Sequence, residues 1–445
     1  MYIGKKVSGN RKLWLLLFLY KCAIEVAYYF VVSQVYGSVL FWNPNGMAFF
    51  ISTFLMLILV ATMPADVERA SFYVCLLFDI LSVIPMLSLY WMINQKSYII
   101  AMVAAMDVII HLLLRIPVRK KIVFQMDGKR SAFFINIIFA LYIFTVIYFV
   151  IRSNGINIQL LTLNDDTIYS VREENNYGSF IMPYIFEWDQ KVLFPFFFGI
   201  GLYEKKKIYI VLSFVSQILL FLCYGNKLTI LTICLMMAIY ISLKFKKRYE
   251  NVLTSGIAVV MAMLPILYAV PILQKIGKVI NWLVAMRTIF MPAMIKFNYF
   301  DFFSSHEYLF FSEGQIGRLL GIEYPYDRAI GVVISNYFYG EGSGNNNTGV
   351  IADAYANMGF AGMILIAVIF VISFRIIDSF TGHFPLKVKI LVISLFAVYM
   401  NDNAFLTTLL TNGLFVMIVI VGIYNVAFMR RKGVIGCKKE RLYEV

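Results

Sequence analysis

Charge is scarce in this chain: only 14% of its 445 residues are Asp, Glu, Lys or Arg, while 61% are hydrophobic. A soluble protein of that length could not hide so much apolar surface in one core, so the composition excludes a soluble globular class and makes lipid the solvent. Cysteine is also sparse. The five cysteines (Cys22, Cys75, Cys223, Cys234, Cys437) fall in apolar runs or the C-terminal tail, which excludes a disulfide framework, and their spacing fits no zinc motif. The first apolar run, from Leu13, lacks a small-residue cleavage site and reads as a retained span rather than a signal peptide. No internal repeat is visible, which argues against a repeat-built transporter. The net charge of +14 does not signal nucleic acid, because the basic residues are scattered between apolar runs rather than gathered on one face.

Apolar runs long enough to cross about 30 Å of hydrocarbon are abundant. Hydropathy places twelve, at 13–33, 46–63, 72–92, 98–116, 131–151, 180–203, 208–224, 228–243, 251–271, 352–374, 387–402 and 406–429. The expectation is a single all-α polytopic membrane domain over 1–445. Lysine and arginine beside a span resist translocation, and most of them fall on one side if the N-terminus is inside. That side holds Lys5, Lys6, Arg11 and Lys12, Arg69, the Arg115 to Arg130 cluster, Lys205 to Lys207, Lys244 to Arg248, Arg375 to Lys389 and Arg430 to Arg441. Both termini are then cytoplasmic. Lys96 and Lys227 are the exceptions, each in a short outer turn.

Two outer segments are too long for turns: 152–179 and 272–351. Long loops in compact proteins usually carry function. Within the second, Ile272, Ile276, Val279, Ile280 and Leu283 recur at helical spacing with Lys275 and Lys278 on other faces, which predicts an interfacial helix on the outer leaflet. The stretch from Arg328 to Phe338 is too short to span and is expected to pack against the bundle or re-enter it.

Inside the spans, Lys21 and Glu25 lie four residues apart, as do Asp107 and His111, so each pair shares a helix face. Such groups serve either as polar contacts between helices or as part of a proton or substrate path; spacing leaves both open.

The remaining polar residues outside carry a pattern. The first loop reads Ile168-Tyr-Ser-Val-Arg-Glu-Glu-Asn-Asn-Tyr-Gly178, with Arg172 and, at the membrane edge, Arg152 as its basic residues. A tight turn, Tyr224-Gly-Asn-Lys-Leu-Thr229, sets Lys227 at the mouth between two spans. The second loop contains Met286-Arg287-Thr-Ile-Phe-Met-Pro292 and Tyr299-Phe-Asp-Phe-Phe303, and closes on Asn345-Asn-Asn-Thr-Gly-Val-Ile-Ala-Asp-Ala-Tyr-Ala-Asn-Met-Gly-Phe-Ala-Gly362. The span layout, the two loops, the Gly-Asn-Lys turn and the Asn-rich closing segment together resemble the O-antigen polymerase family, the Wzy-type polymerases of bacterial surface polysaccharides.

The resemblance implies a GT-C-like membrane glycosyltransferase in the bacterial cytoplasmic (inner) membrane. Its substrates would be undecaprenyl-diphosphate-linked oligosaccharides, with the growing glycan transferred to the non-reducing end of a new lipid-linked repeat to make O-antigen or capsule. Partners expected from the family are a chain-length regulator and a flippase. The residues suit that chemistry. The leaving diphosphate gains negative charge as the glycosidic bond breaks, and arginine presents a planar fork that matches phosphate oxygens. Arg172, Lys227 and Arg287, one from each outer segment, are the candidate diphosphate clamp; the bland alternative for each is a solvated or salt-bridged surface group. Asn347 and Asp353 join Arg172 and Arg287 as candidate catalytic residues, with Asp353 and Asn357 on one face if Val350 begins a helix. Asn and Asp at a helix start are equally what capping would supply. Asp301, His306, Glu307 and Glu173 are available as a general base, and spacing selects none of them. Asp165-Asp166 lacks further ligands, so no metal or cofactor is expected and activity should survive EDTA. O-antigen ligases share the topology but carry a His-Asn pair where this chain has Asn346-Asn347. The remaining rivals are a lipid-linked oligosaccharide flippase and a non-catalytic scaffold.

Overall fold

In a computed structural model, residues 11–118, 124, 126–162, 165–175, 177–245 and 248–431 are described, and among them every regular element is helical. Lys5 and Lys6, the middle of the Arg115–Arg130 cluster and the tail beyond Arg431 lie outside the described residues. Among the described residues, nine helices are long and apolar enough to cross a membrane: Arg11–Val35, Ala70–Met92, Ser97–Arg115, Gly128–Arg152, Lys207–Tyr224, Tyr249–Ala269, Pro271–Phe303, Val350–Thr381 and Phe405–Met429. The chain is thus built as a multi-pass membrane protein.

The other expected spans are also helical, but shorter, broken or more charged. Gly46–Thr62 and Lys227–Ser242 are apolar but only 17 and 16 residues long, short of the 20 or so that an upright helix needs. The helical run 182–204 carries Glu187, Asp189, Lys191 and Glu204. The run at 387–402 is broken into Leu386–Ile393 and Phe396–Asp402. Conversely, Pro271–Phe303, assigned from sequence to the second outer loop, is a 33-residue helical run. Its first part shows the expected apolar face, with Ile272, Ile276 and Val279 exposed, but its last part, Pro292 to Phe303, is mostly buried. The Arg328–Phe338 stretch forms a short helix, Ile330–Tyr339, packed through Ile334.

The described chain divides into two compact units: 1–117, 247–375 and 396–405 form the first, and 118–246, 376–395 and 406–445 the second. In the first, Arg11–Ala27 packs along Tyr249–Ala269, and Gly46–Thr62 along both Ile84–Met92 and Ser97–Arg115. In the second, Leu414–Arg431 packs along Gly128–Arg152, and Phe194–Glu204 along Lys207–Tyr224 and Leu386–Ile393.

Three prolines write the same local feature. Pro85, Pro195 and Pro292 have no N–H to continue the i→i−4 ladder, and the helix before each widens into a π turn: Asp79–Val83, Asp189–Leu193 and Asn281–Phe290. In each, the residue before proline donates its N–H to the carbonyl five positions back, on Asp79, Asp189 and Met286 respectively. In the first two the π turn opens on a buried aspartate. Such turns often sit where a side chain must be re-aimed.

The Lys21–Glu25 pair resolves as a contact between helices. Lys21 Nζ bonds the Glu25 carboxylate and lies 5.1 Å from the Phe49 ring centroid, and Trp91 Nε1 donates to Glu25 Oε1 at 2.8 Å. Each charge is therefore neutralised where it is buried. Glu25→Leu alone is expected to lower stability by about 3–5 kcal/mol, because it strands the Lys21 ammonium. Lys21→Met combined with Glu25→Leu should regain most of it. Thermal unfolding of the purified protein in detergent checks this; a double variant no more stable than the single would refute the pairing argument.

Candidate functional site

In the second unit, the loop read as 152–179 is structured: a 3₁₀ turn at Ile158–Thr162 and a helix at Asp165–Glu174. Leu160 and Ile168 bury themselves against Phe221, which fixes this helix over the end of Lys207–Tyr224. That end must turn sharply, and Gly225 supplies it by adopting a left-handed φ of 64° at the C-cap. Asn226 then caps the next helix, its side-chain oxygen accepting Leu228 N–H at 3.2 Å. Arg172, exposed, donates from Nε to Gly225 O at 3.1 Å, and Asn175 donates to Cys223 O at 2.9 Å. Tyr177 stacks on Tyr224 with centroids 5.1 Å apart. Two of the three expected clamp cations, Arg172 and Lys227, are thus brought to one turn from separate segments.

Buried polar side chains hold that turn from beneath. Asn226 Nδ2 donates to Gln190 Oε1 at 3.1 Å, the Thr229 hydroxyl donates to the same oxygen, and Gln217 Nε2 donates to Thr229 O at 3.3 Å. Lys191, next along the π turn, bonds Asn412 Oδ1 at 2.7 Å and pairs with Glu187 at 2.6 Å. The sequence reading passed over Gln190, Lys191 and Gln217. The available signal was the i,i+4 spacing of Glu187 and Lys191 within an apolar run.

Arg287 and the Asn-rich segment belong to the first unit, and their surroundings are described there. Arg287 is exposed and lies over the Trp282 ring at 5.5 Å. The adjacent residue ties it to a hub that sequence reasoning missed: Thr288 O accepts Asn401 Nδ2 at 2.9 Å. Asn401 Oδ1 accepts the Ser82 hydroxyl at 2.6 Å and Lys296 Nζ at 2.9 Å, and the ammonium also reaches Asn401 O at 3.0 Å and Pro292 O at 3.3 Å. Lys296 is fully buried, and its three donors have three acceptors. Gly349 packs directly on the Asn401 backbone, where a Cβ would collide. Asn401 therefore links the Arg287 helix to the start of Val350–Thr381.

Asn347 is exposed, and Asp353 is half-buried in the first turn of Val350–Thr381. Neighbouring Asn346 is held by Tyr299, whose hydroxyl donates to its carbonyl at 2.9 Å. Asn357 lies one helical turn beyond Asp353. Its Nδ2 donates to Asp353 O at 2.8 Å and its Oδ1 accepts Phe311 N–H at 2.7 Å, at a break in the helix where Met358 and Gly359 leave helical geometry. The segment 309–311 satisfies the freed carbonyls, with Leu309 N–H on Ala356 O at 2.9 Å and Phe310 N–H on Asn357 O at 3.0 Å. A break in an apolar helix is tolerated when protein groups take up its hydrogen bonds in this way.

Comparison with known proteins gives no matching family model, no matching curated protein and no matching solved structure. The site therefore rests on its own chemistry.

The candidate bases fare differently from one another. Asp301 pairs with Lys96 at 2.9 Å, and that hydrogen bond and charge hold the Lys96 ammonium above the ordinary lysine range. The pair accounts for the first of the two exceptional lysines. His306 stacks on Phe302 with centroids 3.9 Å apart, and its Nδ1 lies 2.8 Å from Phe302 O. Glu307 is exposed, while the side chains of Glu173, Asp165 and Asp166 lie outside the described residues.

Proposed function

We propose that this chain is a metal-independent membrane glycosyltransferase that polymerises lipid-diphosphate-linked oligosaccharide repeats, with Arg172 and Lys227 at the diphosphate. The full reading is a GT-C-like enzyme of twelve spans in a bacterial inner membrane, both termini cytoplasmic. It would move an undecaprenyl-diphosphate-linked glycan onto the next lipid-linked repeat and cooperate with a flippase and a chain-length regulator. The observation that carries it is the seating of Arg172 on the carbonyl of Gly225, two residues before Lys227. Two cations at one turn, over a buried amide network, suit a diphosphate whose charge grows as its bond to sugar breaks. In the first unit, Arg287, braced by Trp282, is the candidate diphosphate cation, and Asn347 and Asp353 are the candidates for the acceptor sugar.

A transporter is the second reading, favoured by the buried Lys296 and by the buried Asp107–His111 pair, groups that in membranes often mark substrate or ion paths. Ligase activity is the less favoured alternative because Asn346-Asn347 replaces a His-Asn pair. Purified protein in vesicles with one defined lipid-linked repeat distinguishes them. A ladder of lengthening glycans is expected; translocation without a ladder would establish the flippase, and neither would leave a scaffold and overturn the enzyme reading.

A further inference from the structure

The structure brings Asp79 to the Asp107–His111 pair. Asp79 comes from Ala70–Met92 and the pair from Ser97–Arg115, and one ligand atom from each of the three lies within 4.8 Å of the others. His111 Nε2 is 3.4 Å from Asp79 Oδ2 and 3.7 Å from Asp107 Oδ1. The exposures of the three residues are 4%, 2% and 0% for Asp79, Asp107 and His111. Asp79 opens a π turn, the local widening imposed by Pro85.

The tautomer is set from the other side of the ring. The Thr62 hydroxyl oxygen stands 3.0 Å from the carbonyls of Ile58 and Leu59 and 3.4 Å from His111 Nδ1, and His111 itself hydrogen-bonds the Leu59 carbonyl, which can only accept. Nδ1 therefore carries hydrogen, and neutral His111 turns the lone pair of Nε2 toward two carboxylates. Asp79 and Asp107 hydrogen-bond each other through their carboxyl groups, and outside this cluster Asp79 Oδ1, both Asp107 oxygens and His111 Nε2 have no hydrogen-bond partner among the described residues. Nor does any lysine or arginine among them pair with either aspartate: Arg115, one turn along, spends Nε on Met63 O at 3.0 Å and Nη2 on Ala61 O. Buried acceptors facing one another are costly unless a proton or a cation sits between them.

We propose that Asp79, Asp107 and His111 form a buried binding site for a divalent transition-metal ion, zinc being the best match to the donor set. Two carboxylates supply the compensating charge, and imidazole with carboxylate suits zinc rather than the all-oxygen preference of magnesium or calcium. The geometry agrees: ligands about 2.0–2.1 Å from a tetrahedral ion stand roughly 3.3–3.4 Å from each other, close to the two distances from His111 Nε2 to the aspartates. Thr62 behind the imidazole is the outer partner that orients a metal-bound histidine. The ion would staple two helices inside the first unit and takes no part in the glycosyl transfer proposed above.

The test uses full-length protein in detergent, incubated with zinc, freed of excess by gel filtration and assayed by elemental analysis. About one ion per chain is expected for the wild type, together with a raised thermal midpoint relative to protein stripped by chelator. Asp107→Asn and His111→Gln should lose both the ion and the zinc-dependent rise, whereas His111→Cys, which keeps a zinc ligand, should retain the ion. Wild-type protein that emerges metal-free would overturn the site and show that the two carboxylates share a proton instead. Equal zinc in wild type, Asp107→Asn and His111→Gln would also overturn it, by placing the metal elsewhere. Should a variant fail to fold, the wild-type stoichiometry and the His111→Cys result still decide.

Discussion

Arg172→Ala is expected to reduce polymerisation of lipid-linked repeats by about 100- to 1,000-fold, the usual cost of deleting one preorganised donor to a developing oxyanion. The side chain is exposed, and among the described residues its hydrogen bond is the one to Gly225 O. Loss of that bond costs only about 1 kcal/mol, so the thermal midpoint should barely move while turnover collapses. Arg172→Lys retains charge but not the planar fork and should fall between the two. Arg287→Ala is expected to behave in the same way, since Trp282 braces the guanidinium without burying it. The measurement is glycan ladder length and rate with a defined substrate, beside the melting curve of each variant. Normal polymer from both alanine variants would remove the diphosphate assignment altogether.

Asn401→Leu is expected to have the opposite signature, a large loss of stability of about 3–5 kcal/mol or failure to accumulate as folded protein. One amide here serves Ser82, Lys296 and Thr288 at 2.6, 2.9 and 2.9 Å. Leucine leaves a buried ammonium short of an acceptor and a hydroxyl and a carbonyl unmatched, and an unmet buried donor costs more than the bond itself contributed. Adding Lys296→Met removes the most expensive of these groups, so the double variant should recover much of the loss. Thermal unfolding and gel filtration in detergent report both. An Asn401→Leu protein as stable as the wild type would show that the hub does not hold the fold.

The membrane class and the helical elements were legible in the sequence because hydropathy and proline act locally. A run of apolar residues must satisfy its own backbone in lipid, and a proline must release the carbonyl behind it, whatever the rest of the chain does. The turn between Lys207–Tyr224 and Lys227–Ser242 was legible for the same reason: Gly225 and Asn226 are the residues that a left-handed cap followed by a new helix requires. Length and hydropathy were less reliable where charge entered a helix, as in 182–204, or where a mixed segment was helical throughout, as in Pro271–Phe303.

What only the tertiary structure decided is which polar groups meet. Arg172 and Lys227 are 55 positions apart in the numbering, yet both belong to one turn because Leu160 and Ile168 dock on Phe221. Asp107 and His111 declared themselves as a pair by helical spacing, but Asp79 joins them from another helix, and no periodicity carries that information. Lys296 and Asn401 are separated by 105 positions, the first read from sequence as part of the second outer segment and the second as the end of an apolar run. A charge that must be buried needs a partner, and the sequence states that need; the partner is chosen by packing between helices, which is a property of the fold.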